Sequence, residues 1–354
     1  DETEITNNEY RQFVYWVRDS IARLLLGDIL PEDFLIEENR RTGELYDPPY
    51  LNWSTKIDWQ GEEEKDILEE LFLPEHERYF RKKEIDTRKL NYEYYWVDLQ
   101  AAAKKDFSQE GNTEAGALNN RPQGLQDRSV YVRKEVVNVF PDTLVWLYDY
   151  SYSFNEPLTQ KYFWHPAYDN YPVVGVNWRQ AKAFCVWRTQ LKNSFLARKG
   201  GEASVHEYRL PTEAEWEWAA RGGHDFNPYP WGGPYTRNDK GCFLGNYKPL
   251  RGNYTDDGGA TPIIVAHYPA NDWGLYDMAG NVAEWTSDAF DESSHNFTWD
   301  LNPTYQYNAD ENDPAVLKRK VVRGGSWKDI GYYMEVASRA YEYQDTAKSY
   351  IGFR

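Results

Sequence analysis

Residues 271–285, with the sequence NDWGLYDMAGNVAEW, constrain the fold of this chain more than any other stretch. Gly280 lets the backbone turn and present its carbonyls, and the side-chain oxygens of Asn281 and Glu284 lie three residues apart. Hard cations such as calcium prefer this mixture of carboxylate, amide and backbone oxygens. Taken alone, the stretch is explained equally well as a tight turn with a capping glutamate.

Four further segments accompany it in a fixed order, and five ordered blocks are a stronger signal than any single motif. They are DETEITNNEYRQF at 1–13, YPVVGVNWRQAKAFCVW at 171–187, YRLPTEAEWEWAARGG at 208–223, and VVRGGSW at 321–327 before the closing IGFR. Together the blocks resemble the formylglycine-generating enzyme (sulfatase-modifying factor) domain. The resemblance covers residues 1–27 and 165–354. It implies an α+β fold, related to the C-type lectin fold, with little regular secondary structure and a large insertion at 28–164.

The amino-acid composition argues against some classes of binding partner and structure. The formal net charge is −17, which argues against binding nucleic acid. Aromatic residues make up 17 % of the chain, and such a content suits a loop-rich fold or large protein interfaces. No apolar run reaches the roughly 18–20 residues that cross a bilayer. The chain begins inside the first block and stops at Arg354, so we expect further residues beyond both ends.

Three segments carry the side-chain pairs that begin helices. The pairs are Thr6 with Glu9, Asn177 with Gln180, and Thr212 with Glu215. The first helix should bury a face of Tyr10, Phe13, Val14, Val17, Ile21, Leu24 and Leu25. The second should run near 178–197 and bury Ala181, Phe184, Cys185, Arg188 and Leu191. The third should stop at Gly222 and Gly223, and strands are expected at 171–176, 262–268 and 320–327.

The insertion at 28–164 is too long to be a plain loop. Its acidic part at 61–70 is typical of a solvated helix or a polar linker. The segments 92–107 and 139–157 are aromatic and strand-like, and leaving them in water would be costly. They should therefore either pack on the domain or form an interface with another protein.

The family resemblance implies two calcium sites. The first would use the side chains of Asn246 and Asp257 with the carbonyls of Tyr247 and Gly259. The second would use the side chains of Asn281 and Glu284 with the carbonyls of Ala279, Gly280 and Val282. Each set supplies hard oxygen donors and a carboxylate, as calcium requires. For residues 256–258 an ordinary Asp-Gly turn is the alternative explanation. We expect these ions to be structural.

The family's catalytic thiols are missing. In the enzymes of this family two cysteines follow the Gly-Gly-Ser block and bind copper, because soft thiolates select Cu(I). Here Asp329 stands where the first would be, and there is no cysteine from 243 to 354. Cys185 and Cys242 lie in other blocks. The six histidines show no close metal-ligand spacing, and no nucleophile elbow or phosphate loop is present. We therefore expect a pseudoenzyme that binds no copper.

Three segments resemble one particular group of proteins within this family. They are TEITNNEYRQFVYWVRDSI, VFPDTLVWLYDYSYS and HPAYDNYPVVGVNW, and they are similar to lipoproteins of Bacteroidota gliding motility and type IX secretion, first the GldK (PorK) type and next the GldJ type. This resemblance implies a protein on the periplasmic face of the outer membrane, anchored by a lipid outside this chain. It would form a ring with copies of itself and with a GldN/PorN-type protein. A ring needs two different contact faces, and the aromatic insertion is our candidate for one.

Two other functions stay open at this point. One is an active copper-dependent oxidase of the formylglycine-generating type, which tight Cu(I) binding would reveal. The other is a calcium-dependent ligand-binding module, which the relation to C-type lectins suggests and which would need an incompletely liganded calcium ion in an open groove.

Overall fold

The computed structural model describes residues 1–39, 42–103, 128–153, 156–199, 203–249 and 253–354. The α-helices are α1 (Asn7–Gly27), α2 (Pro31–Phe34), α3 (Glu62–Leu68), α4 (Leu99–Ala103), α5 (Pro157–Lys161), α6 (Trp178–Lys199) and α7 (Glu213–Arg221). The strands are β1 (Leu35–Glu38), β2 (Leu45–Leu51), β3 (Asn91–Val97), β4 (Val132–Asn138), β5 (Ala283–Ala289), β6 (Arg319–Arg323), β7 (Ala340–Tyr343) and β8 (Ile351–Gly352). Short 3₁₀ turns lie at Glu69–Leu71, Glu75–Glu77, Tyr79–Arg81, Thr87–Lys89, Arg128–Tyr131, Thr143–Tyr148, Pro166–Tyr168, Ser294–Asn296, Ala315–Lys318 and Gly331–Met334.

A four-stranded sheet in the order β7-β6-β5-β8 forms the centre of the C-terminal half. Strand β6 pairs antiparallel with both β5 and β7, whereas β8 pairs parallel to β5. Two separate antiparallel ribbons, β1-β2 and β3-β4, lie in the insertion. This mixture of helices, short strands and long irregular segments confirms the predicted α+β class.

The main core lies between α1, α6 and the central sheet. Aromatic rings fill it: Tyr10 stacks on Phe184 at a centroid distance of 5.6 Å, and Phe353 meets Phe184 edge-on at 5.4 Å. Trp285 of β5 is fully buried in the same cluster. Such ring pairs contribute beyond the area they bury, and they join the first, second and last sequence blocks in one core.

The three predicted helix starts are confirmed, because capping is a local property of the sequence. Thr6 and Thr212 each form a capping box with the glutamate three residues later, and Asn177 and Gln180 exchange hydrogen bonds in the same way. Gly222 ends α7 in the left-handed conformation, with φ of 55°. Two face assignments are wrong: Leu24 is 53 % exposed and Leu191 is 44 % exposed, while Leu26 is buried in α1.

The insertion packs against the main core. Tyr92 and Tyr94 of β3 and Val137 of β4 are buried with α1 and α6, and Tyr92 meets Phe13 edge-on at 5.3 Å. The acidic segment at 61–70 forms α3, whose Leu68 is buried against the second half of α1. The insertion thus shares its apolar side with the domain, and only its outer face is left for other contacts.

Two of the three predicted strands, at 171–176 and 262–268, are wrong. The strand-like segments of the insertion are also only partly strands. Residues 171–176 and 262–268 form no ladder, because their amides donate to scattered acceptors: Val173 to Ile5, Gly175 to Lys348 and Val265 to Asn170. Of the two strand-like segments, 92–107 is a strand only as far as Val97 and continues as α4, and the described part of 139–157 contains no strand but a 3₁₀ turn at Thr143–Tyr148. Positions 104–107 and 154–155 of the predicted strand-like segments lie outside the described residues. No helix in the described parts of the chain is both long and apolar enough to span a membrane.

Candidate functional site

The corner at Gly280 and Asn281 is where distant parts of the chain meet. Gly280 has φ of 85°, and a Cβ there would lie 2.4 Å from the carbonyl oxygen of Asn246, so only glycine fits. The amide of Asn281 donates to that same carbonyl at 2.8 Å. Its side-chain Nδ2 donates to the carboxylate of Glu4 at 2.6 Å, and its Oδ1 accepts from the amide of Ile263 at 2.9 Å.

Glu284 is held by the last residue of the chain. Both its oxygens accept from the guanidinium of Arg354, at 2.6–3.0 Å, and Oε2 also accepts from the indole N–H of Trp216 at 2.8 Å. The carboxylate and the guanidinium are both almost completely buried. A paired, bidentate geometry of this kind is what makes a buried charge tolerable.

Glu4 completes this buried polar cluster. It is fully buried, and it accepts from the amide of Val282 at 3.0 Å as well as from Asn281. Burial, with the nearby carboxylates of Asp277 and Glu284, raises the pKa of Glu4 well above its usual range. Hydrogen bonds from Asn281 and Val282 replace the water that Glu4 has lost.

The two side-chain residues of the first predicted calcium set are close in space, because the amide of Tyr247, the residue after Asn246, donates to the Asp257 carboxylate. Asn246 is fully buried; its Nδ2 donates to the carbonyl of Thr261 at 2.9 Å, but its Oδ1 has no hydrogen-bond partner. Asp257 accepts from the amides of Tyr247 at 2.7 Å and Gly259 at 3.4 Å. Burial raises the pKa of Asp257, and within the described residues no basic side chain forms an ion pair with it. An amide oxygen without a hydrogen-bond partner and a carboxylate without a basic partner are the kinds of donor that a hard cation takes.

The second predicted set is arranged differently. Glu284 is already neutralised by Arg354, and Oδ1 of Asn281 already accepts from Ile263. The side chains of this set are therefore committed to protein donors, and the backbone around Ala279, Gly280 and Val282 supplies the remaining oxygens. Across the described ranges, no three His, Cys, Asp or Glu side chains gather as a metal-binding group. The second set therefore differs from the first in that its carboxylate is already paired with Arg354, and calcium binding there stays a prediction.

The segment after the Gly-Gly-Ser block carries Asp329 in place of a thiol. Its Oδ2 accepts from the hydroxyl of Ser326 at 2.6 Å, and burial raises the pKa of its carboxyl. Cys185 is buried inside α6, where burial raises the pKa of the thiol to about 12, and Cys242 lies exposed in a loop. A thiolate at Cys185 is disfavoured, and soft metals need thiolates.

Sequence reasoning did not single out Glu4, Trp216 and Arg354, although they fix the corner around Asn281 and Glu284. A signal was present for two of them. Glu4 precedes the apolar Ile5 inside the first block, and Arg354 follows Gly352 and Phe353 in the last. A charged residue next to apolar residues indicates a buried polar contact, because charged side chains are almost never fully buried without a partner.

Comparison with known proteins places these features in a family. A family profile described as the sulfatase-modifying factor enzyme 1-like domain matches residues 1–354. The chain is 35 % identical over 191 residues to the inactive C-alpha-formylglycine-generating enzyme 2 of Bos taurus, covering 52 % of this chain and 49 % of that protein. It is 31 % identical over 191 residues to the formylglycine-generating enzyme of Mus musculus, covering 52 % of this chain and 44 % of that protein.

Bacterial proteins match at a similar level. The formylglycine-generating enzyme of Streptomyces coelicolor is 33 % identical over 192 residues, or 52 % of each chain. The chain thus spans about half the length of the curated relatives it matches. Among solved structures, Treponema denticola variable protein 1 aligns with a TM-score of 0.36 and 28 % identity, covering 52 % of this chain and 70 % of that one. Because the family profile matches residues 1–354, the chain belongs to the sulfatase-modifying factor enzyme 1-like family.

Proposed function

We propose that this protein is a non-catalytic structural component of the Bacteroidota type IX secretion and gliding motility machinery, of the GldK (PorK) type. It is a lipoprotein on the periplasmic face of the outer membrane, and it forms a ring with copies of itself and a GldN/PorN-type protein. The GldJ type is the second choice. Function cannot be read from the fold alone, so the support must come from particular residues.

The observation that carries this proposal is a contact between the three segments that narrow the resemblance. The hydroxyl of Tyr10 donates to the carbonyl of Val139 at 3.0 Å. Asn7 donates through Nδ2 to the carbonyl of Tyr168 at 3.0 Å, and the amide of Asp142 donates to Gly175 at 2.8 Å. The three segments that resemble GldK-type lipoproteins are far apart in the sequence but in contact in the fold. This contact is expected if they form one structure that such lipoproteins share.

Loss of catalysis is supported by the chemistry after the Gly-Gly-Ser block. A carboxylate at Asp329 cannot hold Cu(I) as a thiolate pair does. The insertion also packs against this segment: Trp146 stacks on Trp327 at a centroid distance of 6.2 Å, and Asp149 forms an ion pair with Lys328. The inactive relative of Bos taurus shows that the family framework persists without activity in another protein.

The outer face of the β3-β4 ribbon is our candidate for one ring contact. Strand periodicity places Glu93, Tyr95 and Val97 of β3 opposite Val136, Lys134 and Val132 of β4 on the side away from the core, where Glu93 and Lys134 form an ion pair. Val97 is 53 % exposed and Val136 is 56 % exposed. The inner side of the ribbon carries the buried Tyr92 and Tyr94, so deleting the segment would damage the core, and surface substitutions give the sharper test.

The test uses the purified protein and the GldN/PorN-type protein of the same cell. We expect the two to form a large assembly, seen by light scattering and negative-stain electron microscopy. Val97→Lys with Val136→Lys should reduce assembly at least tenfold without unfolding the protein. The new lysine at 136 faces Glu93 across the ribbon, which favours folding.

The matched control places the same two charges elsewhere. Leu301→Lys with Val316→Lys alters two exposed apolar residues outside the ribbon and should leave assembly unchanged. If the wild-type protein does not bind its partner, the proposed function is wrong. If the ribbon variant assembles normally, the ribbon is not the contact.

We further propose a structural calcium ion at the first set, held by Asn246 and Asp257 with the carbonyls of Tyr247 and Gly259. The support is the Oδ1 of Asn246, which has no hydrogen-bond partner, together with the carboxylate of Asp257, which accepts from two amides but has no basic partner among the described residues. The second set, with Asn281 and Glu284, is not part of this proposal because Arg354 occupies its carboxylate.

A further inference from the structure

A turn in the insertion, at 79–82, holds two large aromatic side chains in water; we call it the aromatic tip. Tyr79 is 77 % exposed and Phe80 is 85 % exposed. Their rings meet edge-on at a centroid distance of 4.5 Å, and in the described part of the chain no other aromatic ring packs on either. Two neighbouring rings exposed to this extent indicate a contact with something outside the chain.

The backbone of the aromatic tip is strained. Phe80 has φ of 49° and Arg81 has φ of 56°, so two consecutive residues with a Cβ adopt the left-handed conformation. The amide of Lys82 donates to the carbonyl of Tyr79 at 3.0 Å and closes the turn. Turns with two left-handed central residues normally have Asn and Gly there. Strain of this kind is typical of functional segments, and its result here is that both rings face solvent.

The base below the aromatic tip is fixed to the rest of the protein. The amide of Leu73 donates to the carbonyl of Glu84 at 2.9 Å, and Phe72 forms an antiparallel bridge with Ile85. Leu71, just before this base, is buried in the cluster that includes the second half of α1. The two rings therefore project from an anchored stalk and are presented at a defined place on the surface.

The aromatic tip carries positive charge although the chain as a whole is acidic. Arg81 forms no ion pair with any residue that the structure describes, and Lys82 pairs with Glu84 at 3.0 Å on the surface. Such exposed pairs are weak. The formal net charge of −17 opposes an anionic partner only at short range, because exposed charges more than about 8 Å apart are largely screened at physiological salt. The two residues after the rings thus favour an anionic partner.

The size of the aromatic tip favours a lipid surface over a protein. Two aromatic side chains bury at most about 300–500 Å², whereas a standard protein interface buries about 800 Å² of each partner. The flanking Arg78 and Lys83 both pair with Glu69, so the apolar area ends at the tip. A fluid bilayer surface needs no matching shape. Aromatic rings lie there at the level of the headgroups, and basic side chains are attracted to anionic lipids.

We propose that the aromatic tip inserts the rings of Tyr79 and Phe80 among the headgroups of an anionic lipid bilayer, with Arg81 and Lys82 at the lipid phosphates. Two rings bury less apolar area than a myristoyl chain, which by itself gives only reversible binding. The contact therefore orients the protein on a membrane and does not anchor it. It needs neither the ring nor the partner of the proposed function, so failure of ring assembly and failure of lipid binding are separate results.

The test is flotation of the purified full chain with vesicles of phosphatidylcholine that contain about one third phosphatidylglycerol. We expect half of the protein to float at a lipid concentration on the order of millimolar. Vesicles of phosphatidylcholine alone should bind at least about fivefold less, because they lack the attraction for the two basic residues. Salt at about 1 M should remove this difference.

Two double variants separate the rings from the charges. Tyr79→Ser with Phe80→Asn removes both rings, and asparagine tolerates the left-handed conformation, so the turn is kept. This ring variant should bind both kinds of vesicle at least about tenfold more weakly. Arg81→Asn with Lys82→Gln keeps the rings and should lower binding to the anionic vesicles to the level of the neutral ones.

The matched control removes an equal amount of exposed aromatic surface elsewhere. Phe226 is 97 % exposed with φ of 62°, and Tyr235 is 75 % exposed. Phe226→Asn with Tyr235→Ser therefore makes the same chemical change, again with asparagine at a left-handed position. This control should leave lipid binding unchanged.

Equal binding by the wild-type protein and the folded ring variant would overturn the proposal. So would no flotation of the wild-type protein at tens of millimolar lipid, or an equal loss of binding in the control. If the ring variant floats normally but no longer assembles with the GldN/PorN-type protein, the aromatic tip contacts a protein and the lipid proposal is wrong. Circular dichroism and thermal unfolding show whether each variant is folded.

Discussion

The pKa of Lys320 depends strongly on the surroundings of its side chain. It is fully buried in β6, where its Nζ donates to the carbonyl of Tyr307 at 2.6 Å and lies 3.8 Å from the centroid of the Trp178 ring. Burial, and next the charge of Lys182, lower the pKa of Lys320 to about 7, although Asp288 acts in the opposite direction. A hydrogen bond and a ring face therefore offset only part of the loss of water.

This lysine should make stability depend on pH. Between pH 7 and 9 the unfolded chain holds the proton on Lys320 and the folded chain releases it, so the free energy of unfolding should rise with pH. The slope due to this residue approaches about 1.4 kcal/mol per pH unit. Lys320→Met should remove it, whereas Lys240→Met, at an exposed position, should keep the wild-type slope. Urea unfolding at pH 7, 8 and 9 measures all three, and equal slopes in wild type and Lys320→Met would contradict the assignment.

Among the structural elements, helices were more predictable than strands, of which only those near 320 and 92 were found. The capping pairs Thr6 with Glu9 and Thr212 with Glu215 are three residues apart, so the sequence itself contains the interaction. Residues 171–176 have a strand-like composition, but their amides bind Ile5 and Lys348, partners that no local pattern reveals. In the candidate site, the family resemblance named Asn246 and Asp257, and their calcium ion stays a prediction. The pairing of Glu284 with Arg354 spans seventy residues, and no local pattern reveals it.

The calcium proposal for Asn246 and Asp257 can be tested by measuring the melting temperature of the protein. Calcium binds the folded state, so adding it should raise the melting temperature and a chelator should lower it. Asp257→Asn should abolish this response. Asp256→Asn is a matched control, because the neighbouring carboxylate is exposed and pairs with Arg237 instead. Identical melting of the wild-type protein in calcium and in chelator would show that the loop holds no such ion.

At the scale of the whole molecule, the buried ion pair of Glu284 and Arg354 joins the central sheet to the end of the chain. Arg354→Met would leave the carboxylate of Glu284 buried without a partner and should lower the free energy of unfolding by about 3–5 kcal/mol. Glu284→Gln with Arg354→Met should recover much of that loss. Arg237→Met breaks an exposed pair with Asp256 and should cost at most about 1 kcal/mol. Additive losses in the double variant, measured by urea unfolding, would contradict the coupling.

Residues 4–5 lie side by side with residues 353–354. The amide of Ile5 donates to the carbonyl of Phe353 at 2.9 Å, and Glu4 and Arg354 reach the same corner through Asn281 and Glu284. A force that pulls residues 4 and 354 apart would therefore act first on these hydrogen bonds, before it reaches the cores. In this respect a few hydrogen bonds and one ion pair connect residues 4–5 to residues 353–354 and would carry the first part of the load.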